Sequence, residues 1–160
     1  MGFEMTEVSV RSAFGYGLAA CAAIVATAAA SQAGTPVDAI HARQGQFREI
    51  GTAFKAINDE LKKDTQGKFA MATSARQISG DLRQVRGLFP AGSNAGAKTA
   101  ALPAIWTDHA KFDALNAAST TEADKLVAAI RTGDATAIRT QAKVLGASCQ
   151  TCHQQFRARD

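Results

Sequence analysis

Ile138, Ala142, Leu145, Cys149, Cys152 and Phe156 recur at intervals of 4-3-4-3-4, a spacing that an α-helix turns onto one side and a strand scatters over both. Two of these positions are cysteines, and the run ends as Cys149-Gln150-Thr151-Cys152-His153. On a helix, Cys149 lies one turn from both Cys152 and His153, so all three side chains project from one face towards a single flat partner. The stripe that must be buried and the stripe that carries the reactive groups are the same stripe.

The chemistry of that face is restricted. Two thiols can each add to one vinyl group of a haem while the adjacent imidazole ligates the iron, and Cys-x-x-Cys-His is the attachment signature of c-type haem. The reading adopted is one haem c per chain, with Cys149 and Cys152 as the covalent links and His153 as the axial ligand. A structural disulfide, half of a zinc site and a redox-active dithiol are the alternatives. Zinc would need more ligands than Cys21, His41 and His109 readily supply. A thioredoxin-like dithiol is expected beside a βαβ pattern and near a helix start, whereas this motif sits deep in an amphipathic run. No paired carboxylates, nucleophile–base constellation or phosphate loop stands out, which argues against a hydrolytic or transfer enzyme.

The amino-terminal residues point to export. After a polar start ending in Arg11, Ala13 to Ala30 is a run of small apolar residues, and Ser31-Gln32-Ala33 offers a cleavage site. The expected division is a signal peptide over 1–33 and an exported mature domain over 34–160, with no membrane span after processing. Glu4 and Glu7 make the start atypical for a signal. Leu18-Ala19-Ala20-Cys21 resembles a lipoprotein box, but the apolar run continues beyond it through Ile24 and Val25. Roughly 127 of the 160 residues remain, enough for one domain with one core. The formal charge of +4 is spread along the chain. That distribution suits solubility and an acidic redox partner, and it lacks the basic stripe interleaved with aromatics that nucleic acid would require.

Periodicity predicts helices nearly throughout. Ile40, Phe47, Ile50, Phe54, Ile57 and Leu61 keep three-four spacing, with Arg43 in the one gap, which predicts a helix over Pro36 to Lys63. A second is expected from Phe69 to Leu88, after the polar break Asp64-Thr65-Gln66-Gly67. Residues 89–96 read as a loop. A third helix is expected from near Pro103, with Thr120-Thr121-Glu122 as a candidate break, and the last follows the turn Gly133-Asp134. Four helices with short connections predict an all-α, antiparallel, up-down-up-down bundle. Gly51 and Gly146 are candidate points for a flat ring to approach the backbone.

The chain resembles the cytochrome c′ family, the class II c-type cytochromes, over essentially its whole mature length. The resemblance rests on Asp38-Ala39-Ile40-His41-Ala42-Arg43-Gln44, on Ile105-Trp106-Thr107-Asp108 with Phe112, on Gly133-Asp134, and on Val144 to Cys149 continuing through Cys152-His153 and Phe156-Arg157. It implies a four-helix bundle, a homodimer packed through its first two helices, and a periplasmic location. In the family, the residue four after the first-helix arginine covers the open side of the iron, and here that residue is Phe47. A phenyl ring has no lone pair to donate, so the implied state is five-coordinate and high-spin, binding small diatomics such as nitric oxide or carbon monoxide, passing single electrons, or both.

Arg43 is expected to pair with a haem propionate, and Gln44 to flank the same pocket. Arg157 matches a basic position that the family uses on the His153 side. Trp106 and Phe112 read as core or haem-lining. A six-coordinate, low-spin electron carrier using Met71, His41 or His109 is the alternative within the family, and a haem-free dithiol oxidoreductase the alternative outside it.

Overall fold

In a computed structural model describing residues 34–63 and 67–159, the chain forms five helices: α1 (Pro36–Glu60), α2 (Lys68–Gln84), the single turn α3 (Ala104–Thr107), α4 (His109–Thr132) and α5 (Ala135–Phe156). A 3-10 turn, Val85–Leu88, extends α2. The four long helices make an antiparallel up-down-up-down bundle in which α1 packs on α2, α2 on α4 and α4 on α5. The segment expected to be the signal peptide, with Cys21, lies outside the described residues, as do positions 64–66 of the polar break. Among the described residues no helix is long and apolar enough to cross a membrane.

The helix ends follow from local chemistry. Thr35 caps α1, its hydroxyl accepting from the Asp38 backbone N–H while Asp38 Oδ2 accepts from the Thr35 backbone N–H at 2.8 Å. This reciprocal box satisfies two donors that a helix start leaves orphaned. Asp134 does the same for α5, accepting from the backbone N–H groups of Thr136 and Ala137. Gly133 ends α4 at φ +79°, a left-handed conformation that glycine adopts without a side-chain penalty. The first helix stops at Glu60 rather than Lys63; Lys62 and Lys63 instead pair back onto Asp59 and Glu60.

The third expected helix is interrupted, but not where its threonines suggested. Thr120 and Thr121 donate their hydroxyl protons to the carbonyls of Asn116 and Ala117 one turn back, so α4 runs through them unbroken. The interruption falls at Asp108, whose φ and ψ of −126° and 52° separate α3 from α4.

Ile57, Ile78, Leu126, Ile130, Ile138 and Leu145 are almost fully buried and form the packed core, each worth about 1.5–3 kcal/mol of burial. The outer helices α1 and α5 meet where Arg139 donates to the Leu61 carbonyl at 3.1 Å and where Gly146 lies against the Phe54 ring. A cavity separates them beyond that point. The chain after α5 closes one side of it: Leu102 N–H donates to the Phe156 carbonyl at 2.9 Å and Ala158 N–H to the Ala100 carbonyl at 2.8 Å.

Candidate cofactor site

The cavity between α1 and α5 has a volume of about 620 Å³, within the roughly 300–1,000 Å³ typical of cofactor pockets. On the α5 side it is lined by Cys149, Cys152 and His153, all half-buried. Burial pushes the Cys149 thiol above its ordinary pKa and, with Cys149 adjacent, pushes Cys152 up to about 11. Both sit towards the carboxyl-terminal end of α5, where the helix dipole also disfavours a thiolate. That is the opposite of the depressed pKa a dithiol oxidoreductase needs. Burial, then the charge of Arg157, lowers the pKa of His153, so its ring is neutral near pH 7 and keeps a lone pair for a metal. Among the described residues no three of His, Cys, Asp and Glu cluster to hold a bare metal ion.

The opposite side comes from α1. Phe47, Ile50, Gly51 and Phe54 line it, and Phe47 is 36% exposed at the mouth. A Cβ on Gly51 would meet nothing within 4 Å, so the cavity reaches the α1 backbone there. Gly146 differs: a Cβ would lie 3.3 Å from Phe54 Cζ, so its missing side chain admits Phe54. Ile78, Leu82, Val85, Phe112 and Leu145 supply further apolar lining.

Arg43 is 2% exposed. Its Nη1 donates to Ser93 Oγ at 3.1 Å, and its Nη2 donates to the Ser93 carbonyl at 2.7 Å and to Thr99 Oγ1 at 3.2 Å. The guanidinium also lies 5.0 Å from the centre of the Phe89 ring and 5.6 Å from that of Trp106. Burial lowers its pKa, yet all these partners are neutral. A buried cation ordinarily has an anion nearby. Gln44 donates to the Lys98 carbonyl at 2.9 Å, and Arg157 is exposed beside His153 with its backbone N–H on the His153 carbonyl. Both line the cavity, as does Arg48, and among the described residues no Asp or Glu does.

This lining suits a haem: thiols and a neutral imidazole on one side, apolar walls for the macrocycle, and three arginines for two propionates. The other candidate iron ligands lie elsewhere. Met71 is buried in the core, His41 is exposed on α1, and His109 Nδ1 pairs with Asp113 at 3.2 Å; none of the three lines the cavity.

Sequence reasoning missed Phe89, Ser93 and Thr99, which fell in or near a segment read only as loop. One signal was available: an arginine inside an apolar stripe must find partners, and the residues after a Pro-Ala-Gly turn are well suited to supply hydroxyls and carbonyls.

The sequence matches the family described as Cytochrome C′ over residues 38–157. It is 33% identical to the cytochrome c′ of Rhodospirillum rubrum over 141 residues, 88% of this chain and 95% of that protein. Identity to the cytochrome c′ of Rhodopseudomonas palustris is 38% over 130 residues, 76% of this chain and 83% of that one. Among solved structures, a nitric oxide complex of a variant cytochrome c prime from Alcaligenes xylosoxidans aligns with a TM-score of 0.72 at 25% identity, covering 79% of this chain and 98% of that one.

Proposed function

The chain belongs to the cytochrome c′ family, whose members carry one covalently attached haem c per chain, and from that premise we propose that it is a periplasmic, five-coordinate, high-spin haem protein that binds small uncharged diatomics and passes single electrons. Cys149 and Cys152 would hold the haem through thioether links, and His153 would donate its imidazole nitrogen to the iron. When bound, the haem supplies a one-electron couple and a metal that takes diatomic ligands. Arg43, backed by Gln44, offers charge to a propionate, while Arg157 places a cation on the His153 side. Phe47 fills the opposite side with an inert ring that restricts its size and excludes anions.

The observation that carries this reading is the composition of the cavity wall among the described residues: one histidine, no methionine, and the phenyl rings of Phe47 and Phe54 on the side facing α5. The nitric oxide complex of the Alcaligenes xylosoxidans protein supports the ligand class. The periplasmic location follows from the export-like amino terminus, outside the described residues. A homodimer through α1 and α2 is what the family resemblance implies; the groove between those helices mixes small residues such as Ala53 and Ala56 with the charged Arg48 and Glu49, and the mild positive charge suits an acidic redox partner.

The visible spectrum of the purified protein tests the reading. Broad high-spin bands that shift when carbon monoxide meets the reduced protein are expected. Sharp α and β bands that carbon monoxide leaves unchanged would instead establish a sixth protein ligand, and absence of covalent haem after acid extraction would leave only the dithiol.

A further inference from the structure

Phe47 does not stand alone at the cavity mouth. Its ring centre lies 6.4 Å from that of Phe89 at an interplanar angle of 57°, within the range in which aromatic pairs attract. Phe89 is only 5% exposed, with Phe112 at 4.9 Å, Trp106 at 5.8 Å and the Arg43 guanidinium at 5.0 Å. The chain carrying it is fastened as well. Ser93, fully buried, donates from Oγ to the Pro90 carbonyl at 2.8 Å while receiving Arg43, and Trp106 Nε1 donates to the same carbonyl at 3.0 Å. A partly exposed ring that can turn therefore leans on a buried ring that cannot.

We propose that Phe89 is a positioning residue that sets how readily Phe47 swings off the open side of the haem, and that the Arg43–Ser93 clamp holds Phe89 in place for that task. The proposal rests on the reading that Phe47 covers that side. An aromatic pair of this kind biases a side-chain equilibrium by about two- to tenfold, so ligand access is governed by a residue that need not touch the ligand.

The test is the association rate of carbon monoxide with the reduced, haem-loaded protein in the wild type, Phe89→Leu, Phe47→Ala and the double variant. Phe89→Leu is expected to raise the rate about two- to tenfold, and to add nothing in the Phe47→Ala background, because coupled residues are not additive. An unmoved Phe89→Leu rate beside a raised Phe47→Ala rate overturns the proposal alone, as does an equal gain from Phe89→Leu in both backgrounds. An unmoved Phe47→Ala rate overturns the underlying reading together with the proposal. Where Phe89→Leu fails to fold, Ser93→Ala replaces it in the same cycle, with a smaller rise in the same direction expected; no rise, or an equal rise without Phe47, overturns the proposal equally.

Discussion

The wall of the cavity on α5 places its reactive groups within one stretch from Cys149 to His153, whereas the facing wall gathers Phe47 from α1, Phe89 from the end of the 3-10 turn and Thr99 from the segment before α3. The first is set by helical geometry: once the stretch is helical, its three groups face one way whatever the rest of the chain does. The second exists only after the bundle has closed and Arg43 has drawn Ser93 and Thr99 to itself. On the proposed function, one wall anchors by bonds that tolerate little substitution and the other shapes access by packing, which can be adjusted in steps.

Substitutions should separate the two walls by the size and kind of their effects. The largest is expected from the double variant Cys149→Ser and Cys152→Ser, which removes both thioether links: all haem should then extract into acidified acetone, where the wild type keeps it on the chain. Retention of any covalent haem would mean that the anchoring wall has been misplaced. Phe47→Met comes next. It leaves the α5 groups untouched and offers a thioether sulfur from the facing wall, so the visible spectrum should move towards a low-spin, six-coordinate form that takes carbon monoxide more slowly. Unchanged bands would place Phe47 away from the iron.

The difference between the walls also explains what could be read from the amino-acid order. The 4-3-4-3-4 stripe of α5, the Arg43–Phe47 spacing on α1 and the turn at Gly133 are local patterns, and each produces the element that its spacing predicts. The clamp of Arg43 on Ser93 is not local: it answers the needs of a buried cation fifty positions from its partner, and the break at Asp108 is marked by no periodic pattern either. Even the threonines of α4 misled, because their hydroxyls could satisfy themselves on the preceding turn. Ser93→Ala measures how much stability such a nonlocal contact carries. It removes the acceptor for Arg43 Nη1, leaving a buried charged donor short of a partner while the Pro90 carbonyl keeps Trp106 Nε1, and about 2 kcal/mol is the expected loss. Urea unfolding of the loaded protein would show it as a lower midpoint at unchanged slope, and a midpoint within error of the wild type would mean that water or a propionate takes over from the serine.

The smallest effects, and the sharpest for the geometry, are expected at the two glycines that line the cavity, Gly51 on α1 and Gly146 on α5. In a helix interior, Gly→Ala on its own stabilises by about 1 kcal/mol. At Gly146 a new Cβ meets the Phe54 ring at 3.3 Å, a contact tight enough to offset that gain, so little net change is expected with or without haem. At Gly51 nothing lies within 4 Å, and in the Cys149→Ser, Cys152→Ser protein, once its non-covalent haem has been extracted, the full gain should appear. With the haem in the cavity onto which Gly51 opens, as proposed, the added methyl should reverse the sign to a loss of roughly 1 kcal/mol by overpacking. Thermal unfolding of the four proteins reads this directly. If Gly51→Ala stabilises the loaded and haem-free proteins alike, the macrocycle does not approach the α1 backbone at that position.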